Sequence, residues 1–568
     1  MKVDRWRDDI PALSQAVADR YRASGVWAQC SIGEQLHRSA TMHADATAVI
    51  GPDGLLTYRG LDEHTDRIGA GLAQAGIEPG DAILLQVDNS MEAILAWYGV
   101  IKSGAIPVAT LAVHRAHEIA KIGDIVEARA HIVDASYEKY DLLSFAKRMS
   151  ATSSTPRLLL TIRSAARSSE ATAVASLGAG LSASQARRIV ENIAAATHGD
   201  DVAVFQLSGG TTSTPKVIPR THDDYWYNAA SYAQALGWDS RARVMHFLPI
   251  VHNAGIVLGV HAAHSVGAAI VLSGPQADQL LPAMAAARAT DVLTYPSLAL
   301  EWRGHPAFAA ATKHLERVVL TGAKVTEEAF NLFEDKGIRA LGLYGATEGL
   351  VMVTRPQAPR AFRFQALGTP LSSFDVIRVL QPGAETEVPD GVPGELCYCG
   401  PTTLRGYLKA PDRNAEAFTS DGFIRSGDLV ARRTIDGAVT YTFEGRIKDL
   451  VNRGGEKVNA AEIEGLIAQV PGVARAALVA VPDPRLGERG CLCLQMVDGA
   501  SPITLADITQ FLAAREVAKF KWPERLETYA ALPTTPSGKV DKRQLASDLS
   551  TGAPTGDAVR STMKESIA

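Results

Sequence analysis

Apolar positions in the first three quarters of the chain alternate between a helical and a strand pattern. Residues 62–76, DEHTDRIGAGLAQAG, place apolar side chains three and four positions apart, which predicts an amphipathic helix. Residues 81–87, DAILLQV, form a short apolar run of the kind found in buried parallel strands. The pair recurs as MEAILAWYGVIKSG followed by AIPVAT. This repeated order predicts an α/β fold in which helices cover both faces of a doubly wound sheet.

The pattern changes twice further along the chain. Residues 151–199 are rich in Ala and Ser and have little strand character, which indicates connecting structure that is partly helical. Near Asp449 the charge rises and a Gly-Gly pair follows, and a new helix is predicted to begin at residues 459–461 with acidic residues in its first turns. We therefore predict a domain over residues 1–448, a small α+β domain over 449–548 and a polar tail over 549–568.

Composition and charge exclude several classes of protein. The 568 residues carry a net charge of −5, so no basic excess is available for nucleic acid. The N-terminus lacks the apolar core of a signal peptide, and the apolar stretch 93–113 is interrupted by Lys102, two glycines and a proline. The five cysteines include two Cys-x-Cys pairs, a spacing typical of strands and too tight for the usual zinc site. We expect a cytoplasmic protein with no membrane or nucleic-acid partner.

The segment LSGGTTSTPK, residues 207–216, has the composition of a phosphate-binding loop. Glycines let backbone amides approach an anion, Ser and Thr hydroxyls donate hydrogen bonds to phosphate oxygens, and Lys216 supplies a positive charge. Taken alone, the segment fits a flexible connection after a strand equally well. A P-loop NTPase motif is excluded, because Lys216 follows Pro215 and precedes Val217. The loop, if it binds phosphate, belongs to another family.

Five motifs stand in a fixed order along the chain. They are LSGGTTSTPKVIPRTH, LYGATEG, RSGDLV, GRIKDLVNRGGEKV and PTTPSGKVDK. Each alone has a simpler interpretation: YGATEG fits a glycine-containing turn, Asp428 a turn residue and Lys539 a solvated charge. Together, in this order and at these separations, they resemble the adenylate-forming superfamily of acyl-CoA synthetases, nonribosomal peptide adenylation domains and luciferases. The segments IPRTHDDY and LPIVHN are similar to the aryl-acid ligases that activate 2,3-dihydroxybenzoate or salicylate for siderophore synthesis.

The resemblance implies a fold and a two-step reaction. The fold is a large N-terminal domain of doubly wound sheets with a β-barrel-like subdomain, followed by a mobile α+β domain that carries a catalytic lysine. In the first step an aromatic carboxylate attacks the α-phosphate of ATP, with Mg²⁺ as metal, and pyrophosphate leaves. In the second step a thiol takes the acyl group. Both reactants of the first step are anions, so the protein must neutralise charge and hold them in line.

The resemblance also assigns roles to individual residues. The catalytic residues would be Lys539, His252, Thr347 and Glu348, and Glu348 would coordinate Mg²⁺. The nucleotide would be bound by Ser208, Gly209, Gly210, Thr211, Thr212, Lys216, Gly322, Ala323, Tyr344, Gly345, Asp428 and Arg446. The aromatic acid would be bound by Asn253, Ala254, Gly322, Gly345 and Val351. Asp449 would be a hinge, and the pantetheine tunnel would be lined by Gly454, Gly455 and Lys457.

Two positions depart from the aryl-acid ligase pattern. Ser213 stands where glycine is usual, which is compatible with weaker ATP binding and does not imply a loss of activity. Asn253, expected to bond an ortho-hydroxyl, is present, but Ala254 replaces an aromatic residue, so we expect a pocket that is larger or differently shaped. His252 is expected to orient the carboxylate or the adenylate phosphate. His261 and His264 lie three positions apart in an apolar stretch, which favours buried core histidines over metal ligands.

The acceptor of the acyl group has two alternatives. No carrier domain with its serine motif follows residue 548, so we expect a separate aryl or peptidyl carrier protein that presents a phosphopantetheine thiol. The alternative acceptor is coenzyme A. No residue favours a luciferase-like oxygenase. A nucleotide-binding protein without turnover is disfavoured because Lys539, Glu348 and Asp428 are intact.

Overall fold

The computed structural model divides the chain into two compact units. Unit 1 comprises residues 1–376 and 398–424, and unit 2 comprises residues 377–397 and 425–568. The boundary predicted at Asp449 falls within unit 2 and stays a prediction. The structure describes residues 5–153, 155, 157–163, 171–208, 216–322, 325–453, 456–483, 487–515, 517–535, 539–551 and 559–562.

Unit 1 alternates helices and strands along most of its length. Its helices are α1 (Gln15–Ala23), α2 (Ile32–Met42), α3 (Tyr58–Gln74), α4 (Met91–Lys102), α5 (Ala116–Ile125), α6 (Leu142–Ala151), α7 (Ala183–Ala194), α8 (His222–Leu236), α9 (Asn253–Gly255), α10 (Ala262–Ser265), α11 (Ala277–Ala287), α12 (Pro296–Glu301), α13 (Phe308–Thr312), α14 (Glu327–Glu334), α15 (Arg360–Gln365) and α16 (Pro411–Ala417). Its strands are β1 (Thr47–Gly51), β2 (Gly54–Thr57), β3 (Ala82–Gln86), β4 (Ile106–Val108), β5 (Ala130–Asp134), β6 (Leu158–Ile162), β7 (Thr172–Ala173), β8 (Val202–Leu207), β9 (Val217–Thr221), β10 (Arg243–His246), β11 (Ala269–Leu272), β12 (Asp291–Thr294), β13 (Arg317–Leu320), β14 (Arg339–Gly345), β15 (Val351–Val353) and β16 (Thr369–Pro370).

The strands of unit 1 form two largely parallel sheets. Over the described ranges, one sheet has the order β16-β15-β14-β13-β12-β10-β11-β1-β2 and the other has the order β7-β6-β5-β3-β4-β8-β9. The pairs from β14 to β1 in the first sheet, and from β7 to β8 in the second, are parallel. Antiparallel pairs occur at the edges. The predicted doubly wound α/β class is confirmed.

The helix and strand predicted around residues 93–113 are present. Ser90 caps α4 by accepting a hydrogen bond from the Ala93 amide, and the apolar run after the turn becomes β4. Residues 151–199 were predicted to have little strand character, and this was wrong for Leu158–Ile162, which form β6 between β5 and β7. A five-residue strand buried on both faces has no alternation for a sequence pattern to detect.

Helices α3 and α4 are joined by a buried ion cluster. The Lys102 side chain is fully buried and its Nζ donates hydrogen bonds of 2.6 Å to both Asp62 Oδ1 and Asp66 Oδ1. His37 Nδ1 lies 2.7 Å from Asp62 Oδ2. Burial disfavours ionisation of Asp62, but the His37 and Lys102 contacts outweigh it and lower the pKa of Asp62 to about 2. This lysine, which interrupts the apolar stretch in the sequence, therefore holds two helices together.

Unit 2 contains two sheets and three helices within its described part. Its strands are β17 (Val376–Leu380), β18 (Gly394–Cys399), β19 (Ile424–Ile435), β20 (Ala438–Arg446), β21 (Leu450–Arg453), β22 (Glu456–Asn459), β23 (Val473–Asp483), β24 (Gly487–Met496), β25 (Arg525–Tyr529) and β26 (Val559–Thr562). Its helices are α17 (Ala460–Ile467), α18 (Leu505–Ala513) and α19 (Lys542–Thr551). The four strands β17 to β20 form one sheet in sequence order. The other sheet has the order β22-β21-β24-β25-β26, with β23 also paired to β24.

The sequence predicted several elements of unit 2. The helix predicted at residues 459–461 is α17, whose N-cap Asn459 accepts a hydrogen bond from the Ala461 amide. Both Cys-x-Cys pairs lie on strands, β18 and β24. Part of the segment predicted to be a polar tail, Val559–Thr562, pairs with β25 as β26. Across the described residues, no helix combines the length and the apolar character needed to cross a bilayer.

The ion cluster of α3 and α4 gives a test of stability. We expect Lys102→Met to lower the free energy of unfolding by about 3–5 kcal/mol, because two buried carboxylates would lose the cation that they share. Arg59→Met is the control: it removes an ion pair with Asp45 in which both side chains are exposed, and it should change stability little. Urea unfolding of both variants measures the difference. If the two variants lose the same free energy of unfolding, burial does not make the Lys102 cluster more stabilising than an exposed ion pair.

Candidate active site

The YGATEG motif forms a tight turn between β14 and β15. Gly345 pairs with Val351 across the two strands. Gly349 has a φ of +132°, and a Cβ atom there would lie 1.8 Å from the Thr402 carbonyl oxygen, so this position requires glycine. The Leu404 amide donates a 2.7 Å hydrogen bond to the Glu348 carbonyl. The turn that carries Thr347 and Glu348 is therefore fixed against residues 402–404.

A buried arginine fastens the same turn to β9 and α8. Arg220 is fully buried, and its Nε donates a 2.8 Å hydrogen bond to Asp224 Oδ1. One terminal nitrogen donates to the Thr347 carbonyl at 3.0 Å and the other donates to the Thr402 carbonyl at 3.1 Å. The planar guanidinium satisfies all three acceptors at once, which a lysine ammonium on a flexible stem does less well.

The two charged groups expected to meet phosphates share one aromatic partner. Tyr407 Oη donates a 2.9 Å hydrogen bond to Glu348 Oε1, and Lys216 Nζ lies 4.3 Å from the centroid of the Tyr407 ring. Burial lowers the pKa of Lys216, and the nearby Glu348 carboxylate opposes this shift. Glu348 and Lys216, which are 132 positions apart in the sequence, are thus linked through one residue.

The base of the predicted phosphate loop is closed by Ser208 and Lys216. The Ser208 amide donates to the Lys216 carbonyl at 3.0 Å, and the Lys216 amide donates to Ser208 Oγ at 3.1 Å. The first of these bonds extends the antiparallel pairing of β8 and β9 by one residue on each strand, and the second adds a side-chain bond across the same pair. The predictions that concern Gly209, Gly210, Thr211, Thr212 and Ser213 lie outside the described residues.

His252 and Asn253 begin a helix with an unusual middle turn. Asn253–Gly255 are α-helical, Ile256–His261 form a π-helix, and α10 continues to Ser265. Wide turns of this kind occur often at functional sites. His252 is exposed at the N-cap, and its Nδ1 accepts a 3.2 Å hydrogen bond from the Ala254 amide. In the neutral form of the ring this bond places the proton on Nε2, as a donor suited to a carboxylate or phosphate oxygen.

A chain of hydrogen bonds orients the Asn253 amide. Gln206 Nε2 donates to Tyr225 Oη at 2.7 Å, and Tyr225 Oη donates to Asn253 Oδ1 at 2.8 Å. Gln206 and Tyr225 are both buried, and burial raises the pKa of Tyr225 above its usual value, so its hydroxyl stays a donor. Asn253 Nδ2 lies 3.5 Å from the Thr347 carbonyl, a long contact. Asn253 is therefore fixed with its NH₂ group as the donor, and a ligand atom that meets it must be an acceptor.

The remaining residues of unit 1 predicted to bind the acid or the nucleotide lie on neighbouring elements. Ala254 is half-buried and borders a cavity of about 10 Å³, room for a single water molecule. Val351 and Tyr344 are buried on β15 and β14. Gly322 follows β13 with a φ of +82°, a conformation that favours glycine. Ala323 lies outside the described residues.

The two histidines predicted to be core residues form hydrogen bonds inside unit 1. His261 Nε2 accepts a 3.1 Å hydrogen bond from Trp97 Nε1. His264 Nδ1 lies 3.0 Å from Tyr98 Oη, and His264 Nε2 lies 3.2 Å from the Ala48 carbonyl. Both histidines are buried core residues, as predicted.

Over the ranges that the structure describes, no three His, Cys, Asp or Glu side chains form a metal-binding group. A single half-buried carboxylate, Glu348, suits Mg²⁺ that arrives bound to phosphates.

The other predicted site residues belong to unit 2. Asp428 on β19 pairs with Arg446 on β20, and Arg446 Nε lies 3.1 Å from Asp428 Oδ1. Lys539 is exposed as a residue, but desolvation around its ammonium group and the nearby Arg446 cation lower the pKa of Lys539. Asp449 ends a short 3₁₀ turn, Ile447–Asp449. Gly454, Gly455 and the side chain of Lys457 lie outside the described residues.

Four residues of the site have no role in the sequence prediction: Arg220, Tyr407, Gln206 and Tyr225. Arg220 lies inside the apolar strand β9, and a charged residue in such a run is a detectable signal. Tyr407 lies in none of the five motifs, and Gln206 looks like an ordinary strand residue. Their contacts join positions far apart in the sequence, which a local pattern does not show.

The buried arginine gives a prediction that separates activity from stability. Arg220→Lys should lower the exchange of pyrophosphate with ATP, the activity that the motifs imply, by about 10- to 100-fold, because the turn of Thr347 and Glu348 loses its clamp. Arg363→Lys is the matched control, since Arg363 is equally buried and holds Glu334 and the Ala340 carbonyl elsewhere in unit 1. If both variants lose stability but only Arg220→Lys loses rate per folded molecule, the positioning role is supported. Equal loss of rate would contradict it.

Comparisons with known proteins show the family of the chain. The family model described as AMP-binding enzyme matches residues 36–408, and the model of its C-terminal domain matches residues 462–539. The chain is 35% identical to a salicylyl-CoA synthase / salicylate adenylyltransferase of Streptomyces sp over 95% of this chain and 97% of that protein. It is 34% identical to the 2,3-dihydroxybenzoate-AMP ligase of Bacillus subtilis (strain 168) over 96% and 97%. The apo structure of Mycobacterium smegmatis MbtA superposes with a TM-score of 0.70 at 31% identity, covering 96% of this chain and 99% of that one. The chain therefore belongs to the AMP-binding enzyme family, with the adenylate-forming fold that its motifs imply.

Proposed function

We propose that this enzyme uses ATP and Mg²⁺ to convert an ortho-substituted aromatic carboxylic acid to its acyl-adenylate. Pyrophosphate is released, and the acyl group then passes to the phosphopantetheine thiol of a carrier protein. The observation that carries the proposal is the fixed Asn253 amide, which presents a half-buried donor next to His252 and reaches the Thr347 carbonyl. The names of two relatives, which act on salicylate and 2,3-dihydroxybenzoate, support an acid with an ortho-hydroxyl group. A cytoplasmic location is part of the same proposal.

The residues of unit 1 suit the chemistry of the first step. The carboxylate and the α-phosphate are both anionic, so their approach requires donors and positive charge fixed in advance. His252 Nε2 would donate to the carboxylate or to the α-phosphate, and the Thr347 hydroxyl would hold the α-phosphate. Lys216 would add positive charge near the β- and γ-phosphates. Mg²⁺ bound through Glu348 would neutralise phosphate charge.

The residues of unit 2 would serve the nucleotide and the change of step. The Asp428 carboxylate can accept two hydrogen bonds from the vicinal hydroxyls of ribose, and Arg446 beside it would reach the same group. Lys539 would bridge the attacking carboxylate and the α-phosphate during adenylation. A rotation about Asp449 would then replace Lys539 with the segment of Gly454, Gly455 and Lys457, which would line the pantetheine tunnel.

Coenzyme A is the second candidate for the acceptor. One relative is named both as a salicylyl-CoA synthase and as a salicylate adenylyltransferase, and that name favours an enzyme whose adenylate passes to coenzyme A. The two acceptors share the phosphopantetheine thiol and differ only in what carries it. Incubation with salicylate, ATP and either coenzyme A or a phosphopantetheinylated carrier protein, followed by mass spectrometry of the thioester, distinguishes them.

The proposed function is tested by pyrophosphate exchange with a panel of acids. Salicylate, 2,3-dihydroxybenzoate, 3-hydroxyanthranilate, 3-hydroxypicolinate, benzoate and an alkanoate cover the choices of ring and ortho-group. Exchange should be fastest with an ortho-substituted aromatic acid. A response to the alkanoate alone would overturn the proposal.

The Asn253 amide predicts how strongly the ortho-group matters. Benzoate has no ortho-group to accept from the half-buried Asn253 donor, so Asn253→Ala should narrow the difference in kcat/KM between salicylate and benzoate by about 1–3 kcal/mol. Tyr225→Phe should narrow it by a smaller amount, because the amide stays present but loses its orienting donor. If both variants slow the two acids equally, Asn253 does not contact the ortho-group.

Lys539 predicts a separation of the two steps. Lys539→Ala should abolish pyrophosphate exchange, yet it should leave transfer from a supplied aryl-adenylate largely intact, because the lysine is proposed to act only before the adenylate forms. Lys521→Ala, which removes a lysine paired with Glu462 in the same unit, is the control and should retain both steps. Equal loss of the two steps in Lys539→Ala would contradict the proposed alternation.

A further inference from the structure

Three hydrogen bonds hold the backbone around Tyr407 in place. The Tyr407 N–H donates to Asn414 Oδ1 at 2.8 Å, and Asn414 Nδ2 donates back to the Tyr407 carbonyl at 3.0 Å. The next residue, Leu408, donates its amide to the Val217 carbonyl on β9 at 3.0 Å. The Tyr407 residue is only 4% exposed. The ring is therefore fixed relative to β9, from which the predicted phosphate loop leaves, and to α16.

The hydroxyl of Tyr407 acts on Glu348. It donates a 2.9 Å hydrogen bond to Oε1 of that carboxylate. A tyrosine hydroxyl has an ordinary pKa of about 10, so near neutral pH the Tyr407 hydroxyl is a donor and the Glu348 carboxylate accepts. A carboxylate offers about four lone-pair sites on its two oxygens, so one hydrogen bond fixes its orientation and leaves sites for a metal ion.

The ring face of Tyr407 acts on Lys216. The Nζ atom lies 4.3 Å from the ring centroid, within the range of a cation–π contact. A lysine side chain has a long flexible stem, so an ammonium without such a contact samples many positions. Lys216 closes the base of the loop together with Ser208, and the ring thus sets where its charge stands at that base.

We propose that Tyr407 is a positioning residue for both charged groups that meet the nucleotide phosphates: its hydroxyl orients the metal-binding carboxylate Glu348, and its ring holds the Lys216 ammonium. This inference rests on the proposed function. One side chain would then set the anion-binding lysine and the metal-binding glutamate in a common geometry, and its two halves can be tested separately.

The hydroxyl is tested by metal binding without turnover. Tyr407→Phe keeps the ring and removes the hydroxyl, so Mn²⁺ binding to enzyme saturated with α,β-methylene-ATP, followed by electron paramagnetic resonance, should weaken at least about threefold. Binding of α,β-methylene-ATP in the presence of EDTA should be unchanged. Tyr227→Phe is the matched control, because its hydroxyl donates to Ser372 Oγ at 3.0 Å elsewhere in unit 1, and it should alter neither titration.

The role of the ring is tested with a double-mutant cycle between Tyr407 and Lys216. Tyr407→Leu should also weaken metal-free binding of α,β-methylene-ATP at least about threefold, but it should have little further effect in a Lys216→Met background, where the cation is gone. Tyr407→Met serves the same purpose if the leucine variant does not fold.

The outcomes separate this inference from the proposed function. If the unaltered enzyme binds the nucleotide and Mn²⁺ but Tyr407→Phe titrates identically, the role of the hydroxyl is overturned. If the effects of Tyr407→Leu and Lys216→Met add, the role of the ring is overturned. An unaltered enzyme that binds no adenine nucleotide overturns the proposed function and this inference together.

Discussion

The site of unit 1 depends on one buried charge. Arg220 has no exposed surface, and its guanidinium is satisfied by the Asp224 carboxylate and two backbone carbonyls, those of Thr347 and Thr402. A charge removed from water requires such complete pairing, which leaves its partners little freedom. The consequence is that strand β9, helix α8, the turn at Glu348 and the segment before Tyr407 are placed together. Flexible charged groups such as Lys216 then operate against a rigid frame.

The acid side of the site follows a similar principle with neutral groups. A free asparagine amide can present either its oxygen or its nitrogen to a ligand. The hydrogen-bond order from Gln206 to Tyr225 to Asn253 removes that choice, because each hydroxyl or amide hydrogen already has a direction. Both supporting residues are buried, so water does not compete for these bonds. Selectivity for an acceptor group on the acid would therefore be built by residues that never touch the acid.

The sequence predicted the elements whose signals are local. The alternation of helical and strand patterns was sufficient to predict α4 and β4, and the acidic residues in the first turns were sufficient to predict the start of α17. Strand β6 was missed because a short strand buried on both faces has no alternating pattern. The roles of Tyr407 and Tyr225 were missed for a different reason. Their partners are 59 and 28 positions away in the sequence, and the fold brings each pair together. Family motifs record which residues recur, and they do not record which contacts orient them.

The Thr347 carbonyl connects the two sides of the site. It accepts from Arg220 at 3.0 Å and faces Asn253 Nδ2 at 3.5 Å, so the arginine makes the stronger of the two contacts. A carbonyl that is already satisfied by a charged donor gains little from a second, longer one. The Asn253 NH₂ group is thus held near Thr347 without being committed to it, and a ligand acceptor can take that hydrogen at small cost. In the proposed function, the arginine that fixes the turn of Thr347 and Glu348 would also leave the amide donor available to the acid, so the two binding steps would share one structural support.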